Sequence, residues 1–364
     1  MRYYKKYLDY FIRKSSRKVK WGYVIFFVTN RCNSKCKHCF YWKDLNTGLN
    51  ELTLNEIDKI TKKIGKIQVL LLSGGEPFLK ENLFEIISLF IKNNDVKVVS
   101  IPTNAILAER IISIVAKLSE SFPEVTFSIN PSIDNLYKKN DEIRGVKKSF
   151  EKSIRTLKKL LILKKKRKNI EVVINTTISN QNYKDIDGII NFFKKFDITY
   201  HNFELLRGEP KEKNINLPSL EEIKKIHRKI IRLRRDYINR NKKDNYITKL
   251  LEKISVLGIL KYTQHIKENV LNSKKLPFIC SAGKNIFVLE PSGEARLCEL
   301  LPPLGNLRDY NYDVIEILKT KKAREMFEKV KNCSCTHVCF LNMSIANNKK
   351  SLIKIPYYFL KWKK

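Results

Sequence analysis

Eight cysteines mark this 364-residue chain in two groups: Cys32, Cys36 and Cys39 near the start, then Cys280, Cys298, Cys333, Cys335 and Cys339 near the end. Sets of three and five pair poorly into disulfides, and the spacing within each set is tight. In a chain with no secretion signal, that pattern favours metal or cluster ligation. The N-terminus is basic, but Asp9 and Arg13 break up its apolar residues, which argues against a signal peptide. No apolar stretch approaches the roughly 18 residues of a membrane span. The longest, around Val24–Val28, has the length of a strand. A soluble cytoplasmic protein is expected, and a hydrophobic content of 43% excludes wholesale disorder.

Charge is the second constraint. The 72 Lys and Arg against 37 Asp and Glu give a formal net charge of +35. Such an excess suits a polyanion, since phosphate neutralisation dominates nucleic-acid affinity. However, 55 of the basic residues are Lys and only 17 are Arg, scattered along helical stretches. Together with abundant Ile and Asn this reads as a compositional bias, and nucleic acid is not the expected partner.

From Tyr23 to Gly208, β-rich runs alternate with helical ones. Strands are predicted at Tyr23–Thr29, Ile67–Ser73, Val96–Ile101, Glu124–Pro131, Ile170–Ile178 and Ile198–Leu206. Helices are predicted at Asn55–Ile64, Leu83–Asn93, Leu107–Ser119, Phe150–Lys164 and Ile186–Phe196. This alternation implies βαβ units, a parallel sheet and right-handed crossovers. Six units are too few for a closed eight-stranded barrel, so the expected fold is α/β, an open partial (βα)6 barrel. The fourth strand places Thr126, Ser128, Asn130 and Ser132 on one face and Val125, Phe127 and Ile129 on the other. A polar inner face suits a barrel that holds a polar ligand; an edge sheet with one wet face is the alternative.

The organisation follows. A basic extension (1–20) precedes the barrel (21–210). A helical linker or packing layer (211–276) leads to a small cysteine-rich α+β cap with a β-hairpin (277–347). A basic aromatic tail (348–364) closes the chain, either touching a membrane surface or partner, or packing back on the body; Pro356 should interrupt a long amphipathic stripe.

The segment Thr29-Asn-Arg-Cys32-Asn-Ser-Lys-Cys36-Lys-His-Cys39-Phe40 directly follows the first strand. Its thiols therefore sit at the carboxyl edge of the sheet, where parallel α/β folds place their sites. Soft thiolates select zinc or iron–sulfur clusters. Alone, the trio could be a zinc site completed by His38.

The second loop narrows the choice. Gly74-Gly75-Glu76-Pro77 follows the second strand, and the pairing of the two motifs on consecutive βα loops resembles the radical SAM superfamily. The resemblance implies that Cys32, Cys36 and Cys39 hold a four-iron, four-sulfur cluster whose free iron takes S-adenosylmethionine (SAM). His38 then stands at the usual aromatic position. Gly74, Gly75, Glu76 and Pro77 would receive the methionine amino group, glycine allowing close backbone approach. Pro102-Thr-Asn104-Ala is similar to a Thr-Asn-Gly pattern, with Ala105 where Gly is usual. Ser132-Ile-Asp134 and Asn140-Asp141-Glu-Ile-Arg144-Gly145 resemble the fourth-strand signature of peptide- and cofactor-modifying members, with Asn140 where His is common. Ser132 and Asn175 are expected near the SAM ribose and carboxylate. Asn104 could equally be a turn residue, and Asp141 and Arg144 a helix-entry cap and an ion pair.

In the second group, Cys280, Gly293 and Cys298 bracket Phe287–Leu297, which reads as two strands joined by a Pro-Ser-Gly turn. This resembles the SPASM extension of radical SAM enzymes or its shortened Twitch form. Cys335 and Cys339 keep a familiar spacing, whereas Cys333 sits unusually close to Cys335. The resemblance implies a second, auxiliary four-iron cluster on Cys280, Cys298, Cys339 and one of Cys333 or Cys335. A structural zinc ribbon is the alternative, and His337 is read as a loop residue.

The implied chemistry is reductive cleavage of SAM, with an electron-transfer protein as donor, and hydrogen abstraction from a substrate in the barrel mouth. A ribosomally made peptide undergoing oxidative maturation is the first expectation. A small sugar-like or cofactor precursor undergoing dehydrogenation or epimerisation is the second. A non-catalytic iron–sulfur or zinc sensor binding nucleic acid is the rival of another class.

Overall fold

The computed structural model describes residues 19–240 and 246–361. Most of the basic extension, the stretch 241–245 and the last three residues of the tail lie outside the described residues.

The first strand, β1 (Trp21–Thr29), is buried on both faces from Val24 to Val28, which is why it reads as an unbroken apolar run. The βα alternation continues through α1 (Leu54–Ile64), β2 (Ile67–Gly74), α2 (Leu83–Asn94), β3 (Val98–Thr103), α3 (Ala108–Ser121) and β4 (Thr126–Pro131). Two helices, α4 (Tyr137–Arg144) and α5 (Ser149–Lys166), then precede β5 (Ile170–Ile178), α6 (Ile186–Phe193) and β6 (Tyr200–Leu205). All six strands pair in parallel, in the order β6-β5-β4-β3-β2-β1. The loops after β1 to β4 therefore share one edge. The fold is the expected open α/β sheet, each strand starting and ending within two residues of its predicted limits. The pattern missed α4, a single polar eight-residue helix.

The cysteine-rich segment does not build a sheet of its own. Its hairpin, β7 (Ile286–Leu289) and β8 (Glu294–Arg296), closes with β9 (Gly305–Asn306) and extends the barrel sheet. β7 runs parallel to β1, Tyr23 opposite Ile286 and Phe26 opposite Leu289. One sheet of nine strands thus carries both cysteine groups. The cap of α1 ties the two regions further. Thr53 and Glu56 form a reciprocal capping box, and Glu56 also accepts hydrogen bonds from Arg308 Nε at 2.5 Å and Tyr312 Oη at 3.1 Å.

Between β6 and the hairpin run α7 (Leu220–Arg240), α8 (Tyr246–Glu252), a π turn (Lys253–Leu257) and α9 (Gly258–Leu271). After β9 come α10 (Val314–Leu318), α11 (Lys321–Lys331), α12 (Val338–Ala346) and α13 (Lys349–Lys361). The expectation that Pro356 interrupts the tail is corrected: α13 runs through it. Proline removes one N–H donor, and here the helix is held from outside by packing on α9. The Tyr358 ring stacks on Tyr262 at 4.7 Å, and Lys261 Nζ donates to Phe359 O at 2.9 Å.

Candidate active site

The first cysteine loop is pinned from three sides. The Cys32 N–H donates to Asn46 Oδ1 at 3.0 Å, and Asn46 Nδ2 returns a bond to Cys32 O at 3.2 Å. At its start, Glu51 accepts from Thr29 Oγ1 and the Asn30 N–H, while Lys80 Nζ pairs with the same carboxylate at 2.7 Å. From the far side, the end of α4 receives the Lys35 and Lys37 N–H groups on the carbonyls of Arg144 and Ile143. Gly145 ends α4 at φ +64, and a Cβ there would lie 2.5 Å from Lys35 O. Only glycine allows this approach.

Arg144 is buried and carries its charge to the loop. Its Nε lies 2.7 Å from Asp134 Oδ2, and its Nη1 donates to Cys36 Sγ at 3.6 Å. Asp134 Oδ1 accepts from the Thr177 N–H, and His38 Nε2 stands 3.5 Å from Asp134 Oδ2. Burial pushes the Cys32 thiol up to about 12 and the Cys39 thiol up to about 11; it also raises Cys36, against the opposing pull of Arg144. Loading a metal here releases thiol protons.

The Gly-Gly-Glu-Pro loop is locked to the same backbone. The N–H groups of Gly75 and Glu76 donate to the carbonyls of Thr29 and Arg31, both at 2.8 Å. A Cβ on Gly74 would meet Thr29 O at 2.3 Å, and one on Gly75 would meet Arg31 O at 2.1 Å. The close approach these glycines permit is therefore to the cysteine loop itself. Glu76 is buried and accepts from Phe78 N–H, Thr103 Oγ1 and Asn104 N–H. Burial nevertheless pushes its carboxyl up to about 7. Asn104 makes its own turn, accepting from Ile106 N–H, and also donates to Asn33 Oδ1 at 2.6 Å. Ala105 holds φ +59, the conformation for which Gly is the easier residue. Four carboxyl-edge loops, after β1, β2, β3 and β4, are thereby wired into one surface.

Below that edge lies a cavity of about 300 Å³ that runs along the concave face of the sheet. Its floor is the polar face expected from β4. Asn130 Nδ2 donates to Ser100 Oγ, and Ser128 Oγ donates to Asn130 Oδ1. Asn175 also lines it and accepts from Asn202 Nδ2, whereas Ser132 stands beyond the lining, paired to Asn175 through the backbone. The opposite wall comes from α7 and α9, with His227, Arg234 and Lys267 facing inward. The helical layer is thus part of the site.

The auxiliary thiols share charged neighbours: Cys339 and Cys298 both act on Arg207, and Cys339 and Cys335 both act on Lys267. Cys333 donates to Cys335, which lowers Cys335 and raises Cys333, and Cys280 and Cys298 lie within electrostatic reach of both. Cys339, in the first turn of α12, also lines the cavity. Burial pushes its thiol up to about 12, with Glu204 and Glu299 raising it further and Arg207 and Lys267 pulling against them. The buried Glu299 ties these parts together, lying 3.1 Å from Arg207 Nη2 and accepting from His337 Nε2 at 3.1 Å. His337 stands in the loop just before α12, as expected, and its buried ring bridges to Glu299.

A family model described as the radical SAM superfamily matches residues 26–193. A probable GTP 3′,8-cyclase of Methanococcus maripaludis is 30% identical over 236 residues, covering 58% of this chain and 71% of that protein. The chain belongs to the radical SAM superfamily. An uncharacterised protein of Methanocaldococcus jannaschii is 29% identical over 316 residues, covering 84% of this chain and 96% of that protein. A solved structure described as native anSMEcpe with bound AdoMet and a Cp18Cys peptide aligns with a TM-score of 0.59 at 19% identity. It covers 92% of this chain and 96% of that one, a likeness of fold.

Membership makes this a radical SAM enzyme and implies a four-iron, four-sulfur cluster with SAM. The first loop fits such a group. It offers three soft thiol donors on one pinned loop with a buried guanidinium beside them, at the carboxyl edge of the sheet; none of the three thiols lines the cavity. Glu51, Asn46, Lys267 and the Arg207–Glu299–His337 bridge were not foreseen. Their partners lie at least 14 residues away along the chain or across the sheet, and nothing in their local sequence marks them.

Proposed function

We propose that this chain uses SAM bound at a cluster on Cys32, Cys36 and Cys39 to modify oxidatively a substrate held in the polar cavity. The observation that carries this reading is the continuous wiring of the cysteine loop, the Gly-Gly-Glu-Pro loop and Asn104 above that cavity. When bound, the cluster supplies the electron that cleaves SAM to methionine and a 5′-deoxyadenosyl radical able to take hydrogen from substrate.

The chain's own residues do the positioning. Arg144 offsets the negative charge of thiolates on the loop, and Asp134 fixes its guanidinium. Glu76 is held by three donors, so the backbone of its loop is presented in one conformation for the methionine end of SAM. Asn175 and its partner Asn202 offer polar contacts in the cavity, and α7 and α9 wall it on the side opposite the sheet.

A ribosomally made peptide is the proposed substrate class, supported by the fold shared with a peptide-bound structure. The modest cavity volume and the similarity to a probable GTP cyclase support the second reading, a small polar precursor. The electrostatic reach of Cys280, Cys298, Cys333 and Cys335 to one another, and the charges they share with Cys339, support an auxiliary cluster on Cys280, Cys298, Cys339 and one of Cys333 or Cys335.

The test is 5′-deoxyadenosine formation by anaerobically reconstituted protein with SAM and a strong reductant, wild type beside Cys36→Ala. Product from wild type alone supports the reading. Absence of both cluster and SAM binding in wild type would return the sensor reading.

A further inference from the structure

The exposed face of α13 is the strongest feature that the active site does not use. Ile353, Tyr357 and Leu360 recur at i, i+4 and i+7, so they share one side of the helix. They are 78%, 51% and 63% exposed. Lys350, Lys354 and Lys361 are exposed beside them. From residue 349 to the end the chain has six Lys and no Asp or Glu. The opposite side is fixed to the body, with Ser351 buried and Tyr358 stacked on Tyr262. The approach is close enough that a Cβ on Gly258 would meet Ile355 O at 2.6 Å. The helix is therefore docked on one side and open on the other.

A second set of exposed apolar residues borders the same corner. Tyr246 and Ile247 on α8 are 80% and 67% exposed, and the π turn packs against both α8 and α13. Apolar exposure gathered on two helices packed on one turn marks an interaction site.

We propose that this corner is a docking surface for an anionic lipid bilayer, with α13 lying in the interface plane. The composition selects among occupants. A nucleic acid would satisfy the lysines and leave Ile353 and Leu360 in water. A second copy would bring the same lysines to the same face, on a chain already carrying +35. An anionic bilayer takes both halves: acyl chains receive Ile353 and Leu360, Tyr357 sits at headgroup depth, and the lysine ammonium groups reach the lipid phosphates. No helix among the described residues is long and apolar enough to cross a membrane, so the contact is peripheral.

The experiment is co-sedimentation of the full chain with vesicles of phosphatidylcholine alone or with about a third phosphatidylglycerol. Wild type should bind the anionic vesicles, with affinity falling as salt rises, and bind the neutral ones at least about tenfold more weakly. Ile353→Ser with Leu360→Ser keeps every charge and should weaken binding about tenfold or more at unchanged thermal melting. Lys354→Gln with Lys361→Gln should weaken it about tenfold at low salt. Equal vesicle binding by the serine pair would overturn the proposal. So would failure of wild type to bind vesicles, whether it instead bound heparin, dimerised through this face in sedimentation velocity, or did neither. Because all readouts are binding, failure here leaves the SAM-cleavage reading untouched.

Discussion

Replacing Gly145 with alanine tests how tightly α4 grips the cysteine loop. The residue holds φ +64, so any side chain there incurs about 1 kcal/mol of backbone strain. Its Cβ would also sit 2.5 Å from Lys35 O, and relief to an ordinary contact near 3.4 Å requires a movement of about 0.9 Å. The Lys35 N–H to Arg144 O bond, already 3.1 Å, does not survive that shift, and the 3.0 Å Lys37 to Ile143 bond is strained with it. At about 1 kcal/mol each, the total reaches roughly 3 kcal/mol. Gly48 supplies the control. It has φ +67 and nothing within 4 Å of where a Cβ would stand, so Gly48→Ala incurs only the backbone cost of about 1 kcal/mol. The assay is urea unfolding followed by circular dichroism, the two variants beside wild type, with iron per chain measured after anaerobic reconstitution. Gly145→Ala should shift the midpoint about three times as far as Gly48→Ala and should take up less iron. Equal midpoint shifts, or full iron loading at the larger shift, would refute the claim that this contact sets the position of the thiols.

Three further outcomes follow from buried groups. Glu299→Gln removes the carboxylate paired with Arg207, whose side chain is 25% exposed and keeps Glu204 as a second counter-charge, and should destabilise by about 1–3 kcal/mol in urea unfolding at pH 7. Because Arg207 and His337 hold Glu299 down to about 2, its stabilisation is present above the ordinary carboxylate range and lost as pH falls toward 2; the variant should flatten that acid limb. Burial pushes His201 down to about 3, so the unfolded chain binds a proton that the native one refuses between about 6.5 and 3, and stability falls with falling pH across that window. His201→Phe should shrink the difference in urea midpoint between pH 7 and pH 5; an unchanged difference would place the titration elsewhere. Cys339→Ala should lose the iron of the proposed second cluster, and so should one of Cys333→Ala and Cys335→Ala; full iron and sulfide in Cys339→Ala would remove that thiol from the proposed ligands.

What could be read from the sequence was what repeats or clusters locally. The strands of the sheet are short, apolar and bounded by turns, so β5 was placed at its observed limits, Ile170–Ile178. The polar face of β4 was legible because a strand alternates with period two, and Ser128 and Asn130 do line the cavity. The bland readings of Asp141 and Arg144 also describe real contacts. Asp141 caps the entry to α5 by accepting from the Lys148 and Phe150 N–H groups, and Arg144 forms its ion pair with Asp134. The pair nonetheless stands against Cys36, so the structural role and the site role coincide in one residue. The joining of β7 to β1 was not legible, since parallel pairing across more than 250 residues leaves no local trace.

That joining changes how the two cysteine groups relate. A separate cap could move against the barrel, but a hairpin hydrogen-bonded to the central strand cannot slide without breaking the sheet. Tyr41 adds to this by donating to Glu290 at 3.0 Å across the same junction, while Arg296 pairs with Glu290 at 3.1 Å. On the other flank, Arg207 at the end of β6 reaches Glu299 beside Cys298, and Lys267 of α9 lies 3.9 Å from Glu204 of β6. The segment around Cys298 is therefore tied to both flanks of the open sheet, and the cavity lies between the sheet and helices α7 and α9. An enzyme built this way keeps the distance between its two cysteine groups fixed and leaves adaptation to substrate to the side chains of α7 and α9.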